Sequence, residues 1–239
     1  MKPLNEYIQE SLLDDEDELV EKSDISLIEE FIKNNYRGQY KIHKYPVNGK
    51  YQVSSTNGDI HVVNPYITQL TNGLFEWDTI KECFYCGNCE LLKTLEGAPK
   101  KCDSFYCNYC TSLESLKDAP KDVKGEFNCN NCSSLESFEG APKKCDSFYC
   151  YGCISLKTLK GAPEDVKGEF NCNNCTSIIS LKGAPKKVGR DFYCNNCSSL
   201  KTLKGAPEKV GRRFSCRNCV GKFTENDVKA VCDVNIIIT

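Results

Sequence analysis

The sequence predicts a mainly β fold: a solenoid with a short parallel sheet, one strand per repeat of 21–22 residues, an N-terminal helical leader and a helix–strand C-terminal cap. Three observations carry this prediction. A Cys-x-x-Cys pair occurs seven times, at 86/89, 107/110, 129/132, 150/153, 172/175, 194/197 and 216/219. Each first cysteine follows a phenylalanine by two residues: Phe84, Phe105, Phe127, Phe148, Phe170, Phe192 and Phe214. Those phenylalanines are spaced by 21, 22, 21, 22, 22 and 22 residues. Such a period marks stacked coils, each able to bury its apolar side only against its neighbours.

Within one unit the pattern changes period. Phe192 and Cys194 alternate with polar residues, as in a short strand with one buried face. Beyond Cys197 the apolar residues recur every third position, at Leu200, Leu203 and Ala206, which suits a 3₁₀ or polyproline-II return path. Gly205-Ala206-Pro207 would end any α-helix there. The organisation expected is an acidic helical leader (1–35), an N-terminal β cap with a degenerate repeat (36–82), Cys-rich repeats (83–219) and a C-terminal cap (220–239).

Composition narrows the class. Hydrophobic content of 40% and charged content of 27% are those of a globular chain, and no apolar run reaches the length of a membrane span. The N-terminus lacks a secretory leader pattern, so the 18 cysteines are expected in a reducing compartment as thiols or metal ligands. Charge is segregated: residues 1–35 hold 11 acids against 3 lysines, and residues 182–217 hold 10 bases against 2 acids. A basic end invites an acidic partner.

The repeats resemble the leucine-rich repeat in its cysteine-containing form. The pattern L-x-x-L-x-L-x-x-N/C-x-x-L is matched by Cys102-x-x-Phe105-x-Cys107-x-x-Cys110-x-x-Leu113 and again by Cys145-x-x-Phe148-x-Cys150-x-x-Cys153-x-x-Leu156. The 22-residue units, such as Val123-Lys-Gly-Glu-Phe127 and Val188-Gly-Arg-Asp-Phe192, carry one more residue, and the glycine suggests a bulge before the strand. The resemblance spans roughly residues 60–219. It implies a parallel-sheet solenoid that binds proteins along one face, with the second cysteine of each pair turned toward the backbone of adjacent coils.

The cysteines admit three readings. As core, they are small buried side chains with weak S–H donors, and Cys102 and Cys145 fill the position of valine in other units. As zinc ligands, adjacent pairs separated by 17 or 18 residues meet the spacing of a four-thiolate site, although seven pairs cannot all be shared two by two. As a redox site, a reactive pair needs a thiolate stabilised at a helix N-terminus, whereas these sit at strand ends. The core reading is the one adopted, with no metal ligands and no cofactor assigned.

At the ends, Ile25, Ile28, Phe31 and Ile32 mark an amphipathic helix, with Ser26 and Glu29 as its capping box. Leu4, Tyr7, Ile8 and Leu12 mark an earlier helical stripe, and the acid run after it a linker. Ile67 and Leu70 match the later Leu-x-x-Leu, and Trp77 is expected to pack this end. Thr224 and Asp227 suggest a capping box for a short C-terminal helix before a final strand in "VNIII". The leader resembles N-termini of tailed-phage proteins: Met1-Lys2, Glu6-Tyr7-Ile8 and Glu10 match M-K-x-x-x-E-[FY]-I-x-E leaders of internal head proteins. This implies a phage origin and a route into the capsid.

The residues expected on the outer strand face are Tyr85, Tyr106, Asn128, Tyr149, Asn171, Tyr193 and Ser215, flanked by Asn108, Tyr109, Asn130, Tyr151, Asn173, Asn195 and Arg217. Tyrosine and asparagine combine rigid contact area with adaptable hydrogen bonding. The expected function is therefore a non-enzymatic protein-interaction module with a protein partner. Binding sites are assigned to Tyr85, Tyr106, Tyr109, Asn128, Tyr149, Tyr151, Asn171, Tyr193 and Asn195. The alternative is a zinc-stabilised module that binds nucleic acid through Lys186, Lys187, Arg190, Arg212, Arg213 and Arg217. A further alternative is a packaged internal head protein. No membrane partner is expected, and the location expected is the host cytoplasm or the virion. His43 and His61 lie in no catalytic motif, so no catalytic residue is assigned.

Overall fold

The computed structural model describes residues 24–239. The expectations for the first helical stripe, the acid run and the phage-like leader lie outside the described residues. Residues 24–35 form helix α1. Ser26 lies inside this helix, so it is not the capping residue expected of it. Ile28 and Ile32 are fully buried, with Ile25 and Phe31 packed at the edge of the same core.

An antiparallel pair follows, β1 (Tyr36–Ile42) and β2 (Tyr51–Val62), with β3 (Phe75–Trp77) parallel to the start of β2. Next come β4 (Cys83–Tyr85), β5 (Lys101–Cys102), β6 (Ser104–Tyr106), β7 (Asp122–Val123), β8 (Glu126–Asn128) and β9 (Lys144–Cys145). The series continues with β10 (Ser147–Tyr149), β11 (Asp165–Val166), β12 (Phe170–Asn171), β13 (Lys187–Val188), β14 (Asp191–Tyr193) and β15 (Lys209–Ser215). Helix α2 (Glu225–Lys229) and β16 (Asp233–Ile238) close the chain.

Two parallel ladders run along the molecule. The first links β2, β4, β6, β8, β10, β12, β14, β15 and β16 and defines a parallel β-solenoid of about nine turns. It contains the strand that the sequence predicts around each phenylalanine. The coils of β5, β7, β9, β11 and β13 add a two-residue strand one corner earlier, where Cys102 pairs with Val123 and Cys145 with Val166. β15 runs through both ladders.

In β15, a 22-residue unit whose strand runs through the corner, the register on β16 shifts between Val210 and Arg213 as a bulge would; in the earlier 22-residue units the extra residue falls between two separate strands. It widens the corner between the two ladders, and the register of Phe105 on Phe127 and Phe148 on Phe127 is unbroken. In that corner Gly125 N–H donates to the Asp103 carbonyl at 2.7 Å, and the next N–H, of Glu126, donates to the Ser104 hydroxyl at 3.0 Å. A Cβ on Gly125 would stand 2.4 Å from that hydroxyl oxygen, so the close approach of coils excludes any larger residue.

The core is a column of phenylalanines. Phe84, Phe105, Phe127, Phe148, Phe170, Phe192 and Phe214 are all fully buried, and Phe148 and Phe170 stack with centroids 5.5 Å apart. In-register stacking follows from the parallel ladder, which places like residues one strand spacing apart. The return path is two turns rather than a continuous helix: Leu156 N–H reaches the Cys153 carbonyl at 3.1 Å, and Ala162 N–H the Leu159 carbonyl at 3.0 Å. At the N-terminal end Trp77 is fully buried against Tyr36, 5.2 Å between centroids, and Phe84, 6.0 Å. Ile67 and Leu70 are buried as expected, and Ile60 takes the phenylalanine register opposite Phe84. At the C-terminal end the Thr224–Asp227 capping box is present on α2, whose Val228 is buried.

Candidate functional site

The thiols are built into the ladder. From Cys110 onward, each of the six remaining second cysteines donates its S–H to the carbonyl of the first cysteine one coil earlier, whereas Cys89 reaches only Gly87 O, at 3.8 Å. Cys110 reaches Cys86 O at 3.1 Å, Cys132 reaches Cys107 O at 3.1 Å, and Cys153 reaches Cys129 O at 3.2 Å. Cys175, Cys197 and Cys219 do the same to Cys150, Cys172 and Cys194, at 3.1, 3.2 and 3.2 Å. Three first cysteines point the other way: Cys150 donates to Asn171 O and Cys172 to Tyr193 O, each at 3.2 Å, and Cys194 to Ser215 O at 3.5 Å. Burial pushes the thiols of Cys129, Cys150, Cys172 and Cys194 well above their usual range. Among the described residues, no group of three or more His, Cys, Asp or Glu side chains is arranged to hold a metal ion.

The outer face of the first ladder carries three rows of side chains. Because alternation sends the phenylalanine inward, its two neighbours both face out. One row runs His61, Tyr85, Tyr106, Asn128, Tyr149, Asn171 and Tyr193, in register from coil to coil. The rings of His61 and Tyr85 stack at 4.4 Å, and those of Tyr85 and Tyr106 at 4.6 Å. The predicted tyrosines and asparagines of this row are half-buried, and packing between coils pushes the Tyr85 phenol up to about 12. His61 belongs to the row although no motif marked it; its signal was the Ile60-His61 pair standing where later coils have Phe-Tyr. Ser215, expected to face out, is buried, and its hydroxyl donates to Asn195 Oδ1 at 2.7 Å.

The residue before each phenylalanine forms a second row, Ser104, Glu126, Ser147, Glu169, Asp191 and Arg213, of which the sequence marked Arg213 alone. Tyr106 donates its hydroxyl to Glu126 Oε2 at 3.0 Å, and Asn171 Nδ2 donates to Glu169 Oε1 at 3.1 Å. Tyr193 donates to Asp191 Oδ2 at 3.2 Å.

The third row lies between the paired cysteines. Its second position is left-handed in every coil: Asn88, Tyr109, Asn131, Gly152, Asn174, Asn196 and Asn218 have φ between 55° and 72°. Asparagine and glycine tolerate that conformation; Tyr109 is the one bulky residue there. The first position supplies asparagine oxygens to the next coil. Asn130 Oδ1 accepts from Tyr151 N–H at 2.7 Å, Asn173 Oδ1 from Asn195 N–H at 2.6 Å, and Asn195 Oδ1 from Arg217 N–H at 2.8 Å. Asn128 and Asn171 accept from the backbone two residues on, at 3.0 and 3.1 Å. Asn128, Asn171 and Asn195 therefore serve the backbone first. Tyr109 and Tyr151 are the open aromatics of the face, 50% and 40% exposed.

The six basic residues are divided between faces. Lys186 and Lys187 stand at the second ladder, where the register Lys144, Asp165, Lys187 alternates charge. Arg190 and Arg212 lie at the corner, and Arg212 grips Asp191 with two nitrogens, Nε at 2.7 Å from Oδ1 and Nη2 on Oδ2. That contact holds the Asp191 carboxyl below its usual range. Arg213 and Arg217 belong to the tyrosine–asparagine face, with Arg213 Nη1 donating to the Tyr193 hydroxyl at 3.3 Å.

The geometry defines a cysteine-rich parallel β-solenoid with one aromatic–amide face. No family model, no curated protein and no solved structure matches the chain. Among the described residues no helix is long and apolar enough to cross a membrane.

Proposed function

We propose that the protein is a non-enzymatic interaction module that binds a protein partner across the tyrosine–asparagine face of the first ladder. The observation that supports this best is the ring row: His61, Tyr85 and Tyr106 stack in succession along the coils, 4.4 and 4.6 Å between neighbouring centroids. Rings held in this way offer contact area with little rotamer entropy left to lose on binding. Tyr109 and Tyr151 extend the aromatic area into solvent.

The leucine-rich-repeat resemblance supports protein binding along one face. The leader resemblance supports a phage-encoded protein acting on a host or virion protein, in the host cytoplasm or inside the capsid. The test is to capture partners from infected-cell lysate and measure their affinity for the wild type and for a Tyr149→Ser/Tyr193→Ser variant. The expected loss exceeds about 1 kcal/mol, or roughly fivefold. Unchanged affinity moves the interface off this face.

A further inference from the structure

We propose that a depression of 420 Å³ at the C-terminal end of this face is an oxyanion site that takes a carboxylate of an acidic peptide segment. The proposal rests on the protein-binding reading and names the chemistry of one part of that partner.

The site follows from how hydrogen bonds are spent. Asn173 and Asn195 give their side-chain oxygens to the backbone N–H of the next coil, and Asn196 gives its oxygen to Asn218 Nδ2 at 2.9 Å. A backbone N–H can only donate, so the amide orientation of Asn173 and Asn195 is determined, and their NH₂ groups face the depression. Those NH₂ groups donate to no other residue among the described ones. Two adjacent coils that each carry a backbone-serving asparagine thus leave two unspent amide donors side by side.

Two guanidinium groups complete the set. Arg217 is exposed, lines the depression and has no acidic partner among the described residues. Arg213 makes one side-chain hydrogen bond, to the Tyr193 hydroxyl, and its buried Nε has none. The carboxylate nearest to it along the ladder, Asp191, is already gripped by Arg212. No Asp or Glu lines the depression. Two positive charges beside several free N–H donors, with no anion present, are complementary to a carboxylate, and the planar guanidinium fork matches its two oxygens. On the second ladder aspartates stand beside most of the lysines, as in Lys144–Asp165–Lys187 and Lys209–Asp233, with Lys187 and Lys209 the one adjacent basic pair among the described residues.

The test uses the full chain and fluorescein-labelled hexaglutamate, with hexaglutamine and a dT₁₂ oligonucleotide as comparisons, read by anisotropy. Hexaglutamate is expected to bind, hexaglutamine not to bind, and dT₁₂ to bind more weakly. Arg217→Ser, a change at an exposed side chain, is expected to weaken hexaglutamate by about tenfold or more, and Lys187→Ser to leave it unchanged. Arg213→Gln gives a second variant with the same expected direction. Absence of hexaglutamate binding, binding indifferent to Arg217→Ser, or tighter binding of dT₁₂ would each overturn the proposal. The two readings fail separately. Loss of the partner in Tyr149→Ser/Tyr193→Ser with no hexaglutamate site leaves the face as an interface, whereas a working oxyanion site with an indifferent partner leaves the site without that face.

Discussion

The thiol of Cys175 lies 3.1 Å from the carbonyl oxygen of Cys150, a residue one coil earlier, and donates its proton to it. Among the described residues that carbonyl otherwise accepts one long bond, 3.4 Å from Cys153 N–H. The thiol is thus a structural donor at a backbone position that the sheet does not satisfy. Replacing Cys175 with alanine removes this donor and leaves a small void in a fully buried site. The expected cost is about 1–3 kcal/mol, read as a lower urea midpoint. Cys175→Ser keeps a donor and should cost less; equal loss in both variants would deny the hydrogen bond a role.

Alkaline pH should unfold the protein steeply. The thiols of Cys129, Cys150, Cys172 and Cys194 are pushed well above the usual value by burial. In the unfolded chain they titrate near 8.5. Their folded pKa being raised, their stabilisation is complete below the unfolded pKa and is lost as pH climbs from there toward the folded one. Four such thiols give a slope of about 5 kcal/mol per pH unit above roughly pH 9. A stability curve flat from pH 8 to 10 would contradict this.

Tyr109 holds φ at 60°, where the equivalent positions carry asparagine or glycine. Tyr109→Asn should stabilise the fold by up to about 1 kcal/mol by relieving that strain. Thermal denaturation checks it: a raised midpoint is expected. Because Tyr109 is half-exposed, the same change removes one open aromatic from the proposed interface and should weaken partner binding.

Asp191 and Arg212 form an unequal pair, their side chains 2% and 48% exposed. Arg212→Gln would leave the buried carboxylate without its cation. The variant is expected to be less stable at neutral pH, by less than the loss of a fully buried pair because Arg212 is open to water. The sign with pH is defined. In the wild type the folded pKa is depressed, so the pair's contribution is present above about 3.9, the unfolded value, and is lost as pH falls through the folded pKa. In the variant burial favours the protonated acid, so the gap should narrow as pH falls below about 4 and close only beneath the wild type's depressed folded pKa. A gap independent of pH would mean that Arg212 acts through packing alone.

What the sequence by itself determined is the coil: its length, its phenylalanine and cysteine core, the extended return path and both caps' apolar residues. These are features of period two, three and twenty-two, and each is written into neighbouring positions of one repeat. Trp77, Ile67, Leu70 and the Thr224–Asp227 box were legible for the same reason. The tertiary structure alone decided what one coil does for the next. The two-residue strands, such as Lys101–Cys102, are too short to show alternation. The asparagine oxygens of Asn130, Asn173 and Asn195 are committed to backbone groups 21 or 22 residues away, and Arg212 to an acid 21 residues away. Ser26 was misplaced because a helix start depends on residues before the periodic stretch. Stacking fixes which polar atoms are spent within the solenoid and which remain, and the residues that remain define the candidate site.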